Sequence, residues 1–344
     1  MINDVTAYIS TKDRYDCLFR AMLSVAMQAE LPKRFIVFDD GAHEDLRDRP
    51  EFVHIFKILE AKGVSWEVVF GEGKGQVHNH QRALDMATTR YIWRLDDDDY
   101  AEPNVLVGLL ESIRKRDDIA AVGPSVLEPS WGLPLYDPDK YSSLMGDIFT
   151  KQNAQWCTFP GELSVDHLHN TFLYRKDLAS HYDMDLSPAG HREETLFSYR
   201  MRCANNRLIV NGGVTVWHMR ASSGGIRSYA REDFESDEAK FRERVKLMGN
   251  NDLAGKKLIV LDNGLGDHWA FKQILPEIIE RYGIDNIVLS VCYPAVFSDS
   301  GVKLISISEA KVRFDIDQYN LYKWMWDHDW KSTLIEAYRA IYLS

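Results

Sequence analysis

Between residues 1 and 125, short apolar runs alternate with segments whose apolar side chains recur every three or four positions, and each kind of run predicts an element. Residues 5–9 read as a strand, followed by the turn Thr11-Lys12-Asp13. From Arg14 the spacing of Leu18, Met22 and Val25 predicts a helix, with Asp13 as its N-cap. Residues 35–38 form a continuous β-type run of the sort buried in a parallel sheet, and it ends in Asp39-Asp40-Gly41. A polar helix over about 44–62, a strand at 66–70, a glycine-punctuated loop at 71–75 and a helix through Gln81, Leu84 and Ala87 follow. Residues 91–95 form the fourth strand, which runs into Asp96-Asp97-Asp98-Asp99; Glu102-Pro103 opens a helix to about Arg116, and 120–123 is a fifth strand. This β-α-β-α order predicts a mostly parallel sheet with right-handed crossovers. Ligands of such sheets sit beyond the carboxyl ends of the strands, where both aspartate groups fall.

The pattern then loosens. Residues 126–190 are irregular and rich in Trp, Tyr, Pro and His. A helix is expected at 193–201, strands at 207–210 and 214–217, and a flexible loop at Ser222-Ser-Gly-Gly225. The charged stretch 231–250 reads as a solvated helix. A new βαβ unit begins at Lys256, with a strand at 258–261, a turn at Asn263-Gly-Leu-Gly266, a helix over 269–282 broken at Pro276, and a strand at 287–291. A chain of 344 residues is longer than one core usually holds. The expected organisation is a catalytic α/β domain over 1–230, a helical linker over 231–255 and a smaller C-terminal α/β module over 256–344.

Hydrophobic residues at 45% and charged residues at 27% mark a globular chain. The net charge of −11 argues against nucleic acid as a partner, because phosphate neutralisation needs clustered Lys and Arg. A small nucleotide-bearing ligand held through a metal fits better, since the cation supplies the missing positive charge. Cys17, Cys157, Cys203 and Cys292 are far apart and form no CxxC pair, which suits a reducing compartment. The N-terminus has no basic and apolar leader, and no stretch approaches 18 apolar residues, so a cytoplasmic protein without a membrane span is expected.

Hard oxygen ligands such as the four aspartates are what Mg²⁺ or Mn²⁺ prefers. Side chains alternate along a strand, so Asp96 and Asp98 are expected to face one side together. The competing explanation is a solvated acidic turn before the Glu102 helix. An EF-hand is excluded, because the spaced D-x-D-x-D-G pattern is absent.

Taken in order, Tyr8-Ile-Ser-Thr-Lys-Asp-Arg14, Phe38-Asp-Asp-Gly41 and Arg94-Leu-Asp-Asp-Asp-Asp-Tyr100 with Glu102-Pro103 resemble the family 2 glycosyltransferases, inverting enzymes with a GT-A fold. The resemblance covers residues 5–125 well and 170–220 more loosely. It implies a nucleotide-sugar donor, with Asp39 accepting a hydrogen bond from the base (which suits uracil N3–H) and Thr11 lining the same pocket. Asp96 and Asp97 would lie on the donor side, and Asp98 would bind Mn²⁺ or Mg²⁺. The family's acidic pair at a helix start corresponds to Glu193 and Glu194 in His191-Arg-Glu-Glu194, either of which would be the general base for the acceptor hydroxyl. Glu194 stands where the family usually has Asp. His218 matches a further metal ligand of some members, and Arg220, Ser222–Gly225 and Arg227 would form a lid whose arginines clamp the diphosphate. The acceptor would be a glycan or another hydroxyl compound, and self-association into a homo-oligomer is left open.

Other features are read more plainly. Gly71-Glu-Gly-Lys-Gly75 lacks the Gly-Lys-Ser/Thr ending of a phosphate loop. His78-Asn-His80 and His167-Leu-His169 suggest packing or acceptor contact. Trp131, Trp156 and Tyr136 are candidates to stack on a sugar or to fill the core. Asn263-Gly-Leu-Gly-Asp-His268 resembles the first glycine turn of heptosyltransferase-like GT-B enzymes, but Trp269 stands where a third glycine belongs. That segment is read as an accessory module for assembly or acceptor binding. Two alternatives stay open: a nucleotidyltransferase, disfavoured by the missing glycine-rich loop after the first strand, and a non-catalytic nucleotide-sugar-binding protein.

Overall fold

A computed structural model describes residues 2–41, 45–135, 148, 154–253, 256–305, 307, 310 and 321–343. Tyr136 lies outside them. The chain divides into two compact units, one of residues 1–136 with 153–244 and one of residues 137–152 with 245–344.

The larger unit begins with β1 (Ile2–Thr11), α1 (Tyr15–Ala26), β2 (Leu31–Asp39), α2 (Pro50–Ala61), β3 (Ser65–Phe70), α3 (Gln76–Met86) and β4 (Tyr91–Asp96). These four strands pair in parallel in the order β3-β2-β1-β4. The chain winds outward from β1 to β3 and then returns to the other side of β1. This reversal opens a crevice at the carboxyl ends of β1 and β4, the usual ligand position in such sheets. Thr11 lies opposite Asp39, and Ser10 opposite Asp96, at that edge.

After β5 (Asp99–Ala101), α4 (Val105–Arg114) leads into β6 (Ile119–Leu127), and β7 (Glu162–Val165), β8 (Phe172–Arg175), α5 (Glu193–Cys203) and β9 (Arg207–His218) complete the sheet. β8 inserts antiparallel between β4 and β6, β9 runs parallel to β6, and β5 and β7 both pair antiparallel with β9. The expected pair of strands at 207–210 and 214–217 is one continuous strand. Its Gly212-Gly213 segment is absorbed as a bulge against β6, where Pro124 opposes Asn211 and Ser125 opposes Thr215.

Alternation along β1 divides the core between two faces. Val5, Ala7 and Ile9 pack with α1, α2 and α4, while Tyr8 packs with α3 and α5 on the other side. Asp13 does not cap α1: it takes a left-handed conformation at φ 58°, and Arg14 occupies the capping position without a side-chain cap. A turn of this hand is tolerated by Asp and carries Arg14 toward the aspartates.

The helix α6 (Arg231–Leu253) passes from the larger unit into the smaller one. The smaller unit holds a parallel sheet of β10 (Lys257–Leu261), β11 (Ile287–Val291) and β12 (Lys303–Ile305), with α7 (Leu265–Tyr282), α8 (Leu321–Asp327) and α9 (Leu334–Tyr342). The expected break at Pro276 does not occur, and α7 is continuous. Its buried face of Phe271, Ile274, Leu275 and Ile278 spans the proline, so packing against the sheet outweighs the one lost backbone hydrogen bond. Among the described residues no helix is long and apolar enough to cross a membrane.

Candidate functional site

The four aspartates do not prolong β4. The strand ends at Asp96, Asp97 and Asp98 form a two-residue turn, and Asp99 opens β5. Strand alternation therefore stops at Asp96, and the expected pairing of Asp96 with Asp98 gives way to a pairing of Asp98 with Asp99. The reason is sheet closure: β5 pairs with the end of β9, which puts Asp99 opposite His218.

Each of these two carboxylates has one oxygen anchored. Asp98 Oδ2 accepts the Ala221 N–H at 2.9 Å, and Asp99 Oδ2 accepts the Thr171 hydroxyl. The remaining oxygens, Oδ1 of each, converge on His218 Nδ1 at 3.6 and 2.9 Å. Ligand atoms from Asp98, Asp99 and His218 all lie within 4.8 Å of one another. Two hard oxygens and one imidazole nitrogen, with the carboxylates oriented by outer donors, suit Mn²⁺ or Mg²⁺. Burial disfavours a charged His218, but the hydrogen bond to Asp99 and the nearby Asp98 and Asp96 outweigh it and push its pKa up to about 9.

Asp97 is engaged differently. Thr11 Oγ1 donates to its Oδ2 at 2.7 Å and Arg14 Nη1 donates to its Oδ1 at 2.9 Å. Burial still dominates and raises Asp97 to about 6, against the pull of Arg14. Thr11 and Asp97, both expected on the donor side, thus bind each other at the end of β1. Asp96 is half-buried, 3.4 Å from Arg94, and burial with the like charges of Asp99 and Asp98 raises its carboxyl. Asp39 is buried at the end of β2, where Tyr15 Oη donates to Oδ1 at 3.1 Å and Gly41 N at 2.9 Å. Its burial pushes the carboxyl up to about 6.

The loop after β9 is tied down by Arg14. Arg14 Nε donates to the Ser223 carbonyl at 3.2 Å and Nη2 to that of Gly224 at 3.1 Å, while Gly225 N donates to the Lys12 carbonyl at 2.9 Å. Gly225 is needed here: its φ is 52°, and a Cβ would sit 2.4 Å from Arg14 Cζ. Arg220 instead pairs with Glu128 at 2.6 Å, with its side chain 62% exposed, and Arg227 is exposed in the turn Gly225–Ser228. Between this loop and the start of α1 lies a cavity of about 310 Å³, lined by Asp13, Arg14, Tyr15, Arg49 and Ser222 among others.

The glutamate pair at the start of α5 splits into two environments. Glu193 is buried and clamped by Arg94, at 3.0 Å from Nη1 and 2.8 Å from Nη2, with His80 Nε2 3.3 Å away. Burial alone would raise its carboxyl, but Arg94 and then His80 hold it below the usual range. Glu194 is partly open and meets His169 Nδ1 at 3.5 Å through Oε1. Losing one partner of a buried pair strands the other charge, at roughly 3–5 kcal/mol. Glu193→Gln is therefore expected to lower the melting temperature by about 10 °C in a thermal melt, at about 2–4 °C per kcal/mol for a unit of this size.

His80, His167 and His169 are held by neighbours. His80 Nδ1 is 3.0 Å from Tyr8 Oη, and His167 and His169 meet through their Nε2 atoms at 3.1 Å. Trp156 stacks on His169.

This arrangement agrees with what the chain is similar to. Residues 6–176 match glycosyl transferase family 2. Among solved structures, S. aureus TarS 1–349 in complex with UDP-GlcNAc has a TM-score of 0.50 at 18% identity, covering 98% of this chain and 91% of that one. A structure of S. aureus TarS gives 0.49 at 18% identity over 89% of this chain; the chain spans 45% of that protein's chain. GalNAc-T7 with UDP, GalNAc and Mn²⁺ gives 0.48 at 15%, covering 81% of this chain and 58% of that one. No curated protein matches the chain in sequence. The larger unit has the GT-A fold, and the family match supports a glycosyltransferase.

Three residues of this cluster have no role in the sequence reading. Asp99 adjoins Asp98 in sequence, but its approach to His218 depends on the pairing of β5 with β9. Arg14 sits inside a quoted motif, yet its partners Asp97 and Gly224 lie 83 and 210 positions away. Thr171 carries no local signal at all.

Proposed function

We propose that the chain is a divalent-metal-dependent glycosyltransferase that moves a sugar from a UDP-linked donor to an acceptor hydroxyl with inversion. The observation that carries this is the convergence of Asp98 Oδ1, Asp99 Oδ1 and His218 Nδ1 beside the crevice between β1 and β4. Asp98, Asp99 and His218 would hold the cation, so Asp99 joins the two ligands expected from the motifs. A bound Mn²⁺ or Mg²⁺ supplies positive charge to the nucleoside diphosphate as it leaves.

The chain's own residues do the rest. Asp39, at the end of β2 opposite Thr11, takes the base N–H. Thr11, Arg14 and Asp97 fix the aspartate turn, and Asp96 borders the donor. Arg14 also holds the loop at Ser223-Gly224, which can cover the diphosphate, with Arg220 and Arg227 at its exposed rim. Of the two glutamates, Glu194 is the general base, because Glu193 is spent on Arg94. Glu194 takes the proton of the acceptor hydroxyl, the hydroxyl oxygen attacks the anomeric carbon, and the bond to the diphosphate oxygen breaks on the opposite face. The acceptor is a glycan or another hydroxyl compound, and the acidic charge balance of −11 disfavours nucleic acid. The smaller unit is assigned an accessory role.

A panel of nucleotide sugars in a thermal-shift assay with Mn²⁺ tests this. A ligand at 100 times its Kd stabilises the fold by about 2.7 kcal/mol, so one UDP-sugar is expected to raise the melting temperature by about 5–10 °C. The shift should vanish in EDTA. Equal shifts with and without EDTA, or none with any nucleotide sugar, contradict the proposal.

A further inference from the structure

Glu194 shares its inner side with an imidazole in the loop between β7 and β8. His169 is buried there, and its surroundings fix the ring. Trp156 stacks on it with centroids 5.8 Å apart and planes 23° apart, and His167 meets it edge-on. Gln155 Oε1 accepts the His169 N–H at 2.7 Å, and Ser198 of α5 accepts the Leu168 N–H at 2.8 Å, tying the loop to the helix that carries Glu194. Nδ1 of the ring faces Glu194 Oε1 and Thr195 Oγ1, each at 3.5 Å.

The proton positions follow from the partners. An ionised carboxylate can only accept, so the contact with Glu194 requires the proton on His169 Nδ1. A neutral ring then leaves Nε2 bare, ready to accept from His167 Nε2–H at 3.1 Å. The result is a one-way chain from His167 through His169 to Glu194. At 3.5 Å its last link is long, as bonds to catalytic groups often are before substrate binds.

We propose that His169 is a positioning residue for Glu194, holding one carboxylate oxygen through Nδ1–H so that the other is presented to the acceptor hydroxyl. This rests on Glu194 being the base. The electrostatics point the same way: burial works to raise the Glu194 carboxyl, and the hydrogen bond from His169, with Arg94 on β4 behind it, holds it below the usual range. Glu193, His80 on α3, His167 and Arg192 also face the pair. Removing the Nδ1–H donor takes away a bond to the charged form, so the Glu194 pKa rises and the acid limb of the rate profile moves to higher pH.

The test measures UDP release with Mn²⁺ against pH, using whichever of UDP-glucose, UDP-galactose and UDP-GlcNAc turns over, for wild type, His169→Phe, His169→Asn and Glu194→Gln. His169→Phe keeps the ring volume and should lower kcat about 10- to 100-fold, with the donor KM within twofold and the acid limb shifted up. His169→Asn, whose amide N–H stands near the place of Nδ1–H, should recover part of both. In the wild-type protein, ¹⁵N spectra of the imidazoles should show His169 as the Nδ1–H tautomer. A folded His169→Phe with kcat within threefold and an unmoved acid limb overturns the proposal, as does an Nε2–H tautomer in wild type, which decides the matter even where a variant fails to fold. Wild-type turnover by Glu194→Gln would instead remove the base assignment itself.

Discussion

Asp98→Ala is expected to lower sugar transfer at least 1,000-fold, a loss of about 4 kcal/mol in transition-state stabilisation. Asp98 contributes one of the two carboxylate oxygens that converge on His218, and its other oxygen receives the Ala221 N–H at the base of the loop after β9. The substitution thus removes a proposed cation ligand and an anchor of that loop together. Steady-state UDP release with Mn²⁺ measures the effect. Asp97→Asn is the informative control, because both Asp97 oxygens are spent on Thr11 and Arg14. It should weaken the turn and reduce activity by a smaller factor, and added Mn²⁺ should not rescue it. Equal losses in the two variants would mean that the cluster acts as one acidic patch rather than as a site with separate parts.

Glu194→Gln carries the second large effect. General-base catalysis contributes about 100- to 10,000-fold, and the amide cannot take the acceptor proton. The expected outcome is a kcat reduced about 1,000-fold with UDP affinity unchanged, read from turnover and a separate UDP titration. Glu193→Gln should show the reverse balance, a lowered melting temperature with the chemistry impaired only as far as the fold is. The two neighbours differ because the first residue of α5 points into the core, where Arg94 of β4 waits for it, and the next lies at the opening. If Glu193→Gln abolished turnover in a fully stable protein while Glu194→Gln did not, the roles would be exchanged.

The order of elements through β4 was legible because each strand there is a local apolar run and each helix a local period. The two aspartate groups fell at strand ends for the same reason. What lay beyond local pattern was set by pairing across long separations. β8 enters the sheet between β4 and β6, β9 runs unbroken through two glycines, and α7 continues through Pro276, each because tertiary packing outweighs a local signal. The site shows the same division. Asp98, His218 and the glutamate pair were readable from motifs, whereas Asp99 became a partner of His218 only once β5 was seen to pair with β9. The link from His169 to its carboxylate partner is not local either, because Glu194 lies 25 positions on.

The central claim is that Asp98, Asp99 and His218 hold a divalent cation against the diphosphate of the donor. Calorimetric titration of UDP into the full chain, once with Mn²⁺ and once with EDTA, tests it without any knowledge of sugar or acceptor. UDP should bind at least tenfold more tightly with Mn²⁺, about 1.4 kcal/mol or more, and Asp98→Ala should erase the difference. Equal affinity in Mn²⁺ and EDTA for the wild-type chain would contradict the claim.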